Sequence, residues 1–135
     1  MTYRLAVILS IALAVPTGPL WAQALDAETL AQPKDGEAAK LDLQSIVRQG
    51  DVLGRFEVVV SWVDTTRQIP PDYLARRVRY ITNCEEGTFT LAAVGLLDRN
   101  GNALKTMVVP PGAVDPVKPE KGTDAAKWVR RVCMY

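Results

Sequence analysis

The sequence contains no histidine, the side chain most often used as general base and metal ligand near neutral pH. Ser-His-Asp and Cys-His catalysis go with it, as do nearly all zinc sites. Charge of one sign is also missing: 16 basic residues face 15 acidic ones in 135 residues. A nucleic-acid partner would call for a marked basic excess, so none is expected. Nor does any apolar run reach the roughly 18–20 residues that span a bilayer as a helix. The longest, Leu5–Val15, has eleven apolar or small residues. No membrane span and no cofactor are expected.

That short run is itself informative. Arg4 precedes it, Pro16, Gly18 and Pro19 end it, and Ala22-Gln23-Ala24 places small residues at the two positions a signal peptidase reads. This is the layout of a secretory signal peptide over residues 1–24. Its removal leaves 111 residues, a periplasmic or secreted chain of one small domain. Arg4 is the only charge lost, so the exported chain carries 15 charges of each sign.

Only two cysteines are present, Cys84 and Cys133. In a small domain bound for an oxidising compartment, an even count reads as a structural disulfide. A redox pair is the alternative, but such pairs usually sit close in sequence and these are 49 positions apart.

Residues 25–40 are rich in Ala, Glu, Asp and Lys and broken by Pro33 and Gly36, which predicts a flexible leader before a domain over 41–135. Ordered structure is expected from Leu41, ending first at the Gln49-Gly50-Asp51 turn. Phe56, Val58, Val60 and Trp62 then alternate with Arg55, Glu57, Val59 and Ser61, the period of a half-buried strand. Arg76–Cys84 alternates again, with Val78, Tyr80, Thr82 and Cys84 on one face and Arg77 and Arg79 on the other. Gly87 marks a turn into an apolar strand over Thr88–Leu97. Asp98-Arg99-Asn100-Gly101 is a strong hairpin signal leading to a partner strand over Asn102–Val109. Four prolines between Pro110 and Lys121 exclude a helix or central strand there. Thr123 can N-cap a last helix in which Ala125, Trp128, Val129 and Val132 share one face with Cys133. The expected fold class is α+β: one antiparallel sheet of five or six strands, with a C-terminal helix packed on one face and tethered by Cys84–Cys133.

Three stretches resemble the surface-adhesin protein E family of small exported bacterial domains. They are Asp42–Asp51 with Val58–Trp62, Val78–Cys84 with Asp98–Gly101, and Pro110-Pro111-Gly112 with Trp128–Cys133. The likeness covers Leu41 to Cys133 and implies the same sheet-and-helix architecture. It further implies adhesion to host extracellular-matrix proteins and plasminogen. The adhesin from which the family takes its name is lipid-anchored, whereas neither cysteine here sits at the expected signal cleavage site.

Arg76-Arg77-Val78-Arg79 is the one dense basic cluster, and alternation puts Arg77 and Arg79 together as a candidate binding patch. A solvated face with edge protection is the simpler reading. Asp98, Asn100 and Asn102 imitate a calcium loop, but Ala103 and Val109 stand where that loop needs Gly and Glu. Glu85-Glu86 lies in a turn, Ser45 and Ser61 have no histidine to activate them, and Trp62 and Trp128 lie on apolar faces and read as core. These residues lead to an exported, non-catalytic binding or cell-envelope protein with a host or envelope protein as partner. The alternative is a small periplasmic enzyme without histidine chemistry. Mass spectrometry of the exported protein should find its first residue to be Leu25; an intact Met1 in that fraction would refute the signal peptide.

Overall fold

Apolar residues spaced two apart, recurring in strand after strand, require a sheet that is buried on one side. In the computed structural model, which describes residues 27–135, five strands form that sheet: β1 (Glu37–Gln49), β2 (Leu53–Trp62), β3 (Ala75–Asn83), β4 (Thr88–Leu97) and β5 (Ala103–Val108). All neighbours are antiparallel and their order is that of the sequence, an up-and-down meander. The expected signal peptide over residues 1–24 and its expected cleavage site lie outside the described residues.

Register brings Phe56 opposite Tyr80 and Val58 opposite Val78. Phe56, Val58, Val60, Val78, Tyr80, Thr82, Phe89, Leu91 and Val94 are all at most 3 % exposed and form one face. A register shift between Arg79 and Tyr80 leaves Ala92 as an extra residue in β4, which lets Leu91 and Val94 share that face. Tyr80 lies at the centre, its ring 5.4 Å from Phe56 and 5.1 Å from Phe89.

Helix α2 (Asp124–Cys133) covers one end of this face. Thr123 caps it, accepting the Ala126 amide at 3.3 Å, while Asp124 suits the positive end of the helix dipole and Arg130 and Arg131 the negative end. Val129 and Val132 are buried, and Trp128 is half-buried against the same core. The helix comes so close that a Cβ at Gly54 would lie 2.8 Å from Val132 Cγ1 and 3.2 Å from Thr82 Cγ2. The Cys84–Cys133 disulfide joins the end of this helix to the β3–β4 turn, as expected. Closing a loop of 49 residues contributes about 4 kcal/mol in the chain-entropy account. Beside the bridge, the Arg48 guanidinium donates to the Val132 carbonyl at 3.2 Å and to the Asp51 carbonyl at 2.8 Å, and touches Cys84 Sγ.

The flexible leader expected over 25–40 is corrected from residue 27 onward. Ala27–Leu30 form a short helix, α1, and β1 begins at Glu37, four residues before the expected start. Ala27 and Ala31 are 1 % exposed. The Tyr80 hydroxyl donates to the Ala27 carbonyl at 2.5 Å, and Arg76 donates to the Leu30 and Gln32 carbonyls. Small side chains let this segment lie close against the sheet. Its anchors come from β3, 44 or more positions away, so no local pattern announces them.

Gly54→Ala should lower stability by roughly 1–3 kcal/mol through overpacking against Val132. Combined with Val132→Ala, the total loss in urea unfolding of the oxidised protein should fall short of the sum of the single losses, because the clashing methyl is gone. Strict additivity would show that the helix does not rest on Gly54.

Candidate functional site

With α1 and α2 on one side, the other side of the sheet is made by the alternate residues. Arg76 points to the packed side, and Arg77 and Arg79 project together from the opposite one, as their alternation predicts. Neither is a lone cation. Arg77 Nη1 lies 2.9 Å from Asp42 Oδ2 and 3.7 Å from Glu57 Oε2, and Arg79 Nη2 lies 3.5 Å from Glu57 Oε1. Register explains the pairing, since Asp42 faces Glu57 across β1–β2 and Glu57 faces Arg79 across β2–β3. The result is a quartet of two guanidinium and two carboxylate groups with no net charge. The Asp42 carboxyl is held below its ordinary range, first by the Arg77 hydrogen bond and then, against a burial cost, by the Gln44 amide and the Arg77 charge. Arg77 and Arg79 remain 39 % and 43 % exposed at their side chains. Ile81 and Val108 add exposed apolar surface on this side.

A second cluster lies where β1 begins. Glu37, with 3 % of its side chain exposed, accepts the Tyr73 hydroxyl at 2.5 Å, Arg76 Nη1 at 3.2 Å and the Lys34 amide at 2.9 Å. Burial pushes its pKa up, but the hydrogen bonds from Tyr73 and the Lys34 amide, with the charge of Arg76, outweigh it and bring the pKa below the usual 4.5. Burial and then the Glu37 carboxylate drive the Tyr73 phenol well above its ordinary value. Beside the pair is a concavity of about 330 Å³ lined by Lys34, Asp35, Trp62, Asp72 and Tyr73. Trp62 is half-buried at this rim rather than in the core. Its ring meets Tyr73 edge-on at 5.5 Å, Arg67 stacks over it at 5.1 Å, and its Nε1 donates to the Asp64 carbonyl. Gly36, at φ +91°, lets the chain pass there, since a Cβ would lie 2.8 Å from the Trp62 ring.

The chemistry of this cluster is that of a latch. The proton stays on Tyr73 and the charge on Glu37, with both groups displaced away from neutral pH. Arg76 joins them to the Leu30 and Gln32 carbonyls and so fastens the N-terminal segment. Asp98 accepts the Asn100 and Asn102 amides, which makes its loop a hairpin turn. Among the described residues no three acidic or cysteine side chains gather as a metal site, and no helix is long and apolar enough to cross a membrane.

Arg77 and Arg79 are brought together, and Cys84 and Cys133 are joined. Sequence reasoning missed the roles of Glu37, Arg48 and Tyr73, because each acts on residues far away in the chain. No family model, curated protein or solved structure matches this chain.

Because its folded pKa is depressed, ionised Glu37 stabilises the fold above the unfolded value, and that stability is lost as pH falls through the folded pKa. Glu37→Gln should therefore cost roughly 1–3 kcal/mol near neutral pH. The urea-unfolding curves of variant and wild type should converge below pH 4.5. A gap that persists undiminished in acid would rule out the ionised latch.

Proposed function

We propose that this chain is an exported, non-catalytic binding module of the surface-adhesin protein E kind, working in the periplasm or as a secreted protein. It contacts an envelope or host protein through the sheet face that carries Arg77 and Arg79. One arrangement supports this reading above all. The packing elements α1 and α2 sit on one side of the sheet, while the other presents a half-exposed ionic quartet beside apolar Ile81 and Val108. Ordered charges of both signs next to apolar surface suit a protein partner, whose own polar groups can pair with each in turn. With no net charge, the quartet favours short-range fit over long-range steering. An enzyme reading gains nothing from Glu37, whose carboxylate is already committed to three donors.

The exported domain used as bait in envelope extract and against matrix proteins should capture a partner. Arg77→Ser with Arg79→Ser should weaken that capture while circular dichroism stays unchanged, since both side chains are partly solvated. Equal capture by wild type and double variant across a salt series would take the binding site off this face.

A further inference from the structure

The two sulfurs of the disulfide stand in opposite electrical surroundings. Arg48 Nη1 lies 3.2 Å from Cys84 Sγ. The same guanidinium donates to the carbonyls of Gly50, Asp51 and Val132, and its Nε is buried without a hydrogen-bond partner. Among the described residues no carboxylate pairs with it, so no counter-ion blunts its charge at Cys84. Gly54, which faces Arg48 across β1–β2, makes room for the arginine stem; a Cβ there would lie 3.5 Å from Arg48 Cδ.

Cys133 is the last residue of α2, where the helix dipole presents its negative end. The other charges nearby are Asp51, Glu85, Glu86, Arg130 and Arg131, all of them exposed and screened by solvent. A thiolate is therefore favoured at Cys84, by a cation in contact with it, and disfavoured at Cys133. Both cysteines are half-buried. Cys133 is followed by Met134 and Tyr135, 78 % and 69 % exposed, which leaves a small molecule a way in.

We propose that Cys133 is a site of reversible S-thiolation by a small thiol, with Cys84 as the leaving sulfur. The incoming thiolate, its proton already lost to solvent, attacks Cys133 Sγ. A new sulfur–sulfur bond forms there as the Cys84–Cys133 bond breaks. The electron pair of the broken bond goes to Cys84, which departs as a thiolate beside Arg48. One disulfide replaces another, so the step needs no oxidant. A thiol of lower pKa leaves faster and is also the weaker nucleophile for the return attack. Arg48 thus both eases the opening and prolongs the adduct. The packing of Val132 over Gly54 involves neither sulfur and remains to hold α2.

Reduced glutathione is the probe. The exported, oxidised protein is exposed to it briefly, and free thiols are then capped with N-ethylmaleimide. Peptide mapping should find glutathione mainly on Cys133 and the cap on Cys84. Arg48→Gln should cut that preference by roughly threefold or more, the effect of about one pKa unit on exchange. Arg48→Lys, which keeps the charge, should retain most of it. An adduct chiefly on Cys84, equal amounts on both, or none until urea is added would overturn the proposal. Equal loss of preference in the two variants would make Arg48 a packing group and overturn its part. The wild-type map decides the site even should Arg48→Gln fail to fold.

Discussion

The fold turns on the close approach of α2 to the sheet at Gly54. There the helix has no side chain beneath it, and Val132 fills the space a Cβ would take. Everything around that contact serves to keep it. The disulfide fixes the end of the helix to the β3–β4 turn, and Arg48 binds the helix carbonyl and the β1–β2 turn with one guanidinium group. A helix of ten residues is marginal alone in water. Its stability here comes from being held at both its cap and its C-terminal end, with Val129 and Val132 buried between.

A second guanidinium does comparable work at the opposite end of the molecule. Arg76 projects to the packed side of β3, pairs with buried Glu37 and holds the carbonyls of residues 30 and 32. A charge beneath the packing layer would be costly unpaired; here it has both a counter-ion and hydrogen-bonding carbonyls. The same run of three arginines thus divides its labour by parity. Arg76 fastens the chain's own N-terminal segment, while Arg77 and Arg79 remain half-exposed on the opposite face.

That division also changes the meaning of the basic cluster. In the sequence it is the densest positive stretch. In the folded chain Asp42 and Glu57 come from β1 and β2 to neutralise it. Charge density along a chain is a poor guide to surface potential when a sheet brings three strands side by side, since adjacent strands lie only about 5 Å apart. The surface that results is zwitterionic.

The sequence alone was enough for the period-two strands, the Asn100-Gly101 hairpin, the Thr123 cap and the α2 stripe, because each is written within a few neighbouring residues. It also pointed to the cysteine pair, since both lay on apolar faces of elements that had to pack together. Tertiary structure alone decided that residues 27–40 are ordered, that Trp62 sits at a rim, and that Glu37 and Arg48 are structural. Those outcomes depend on groups that meet across tens of residues, through hydrogen bonds and close backbone approach that leave no local period to read.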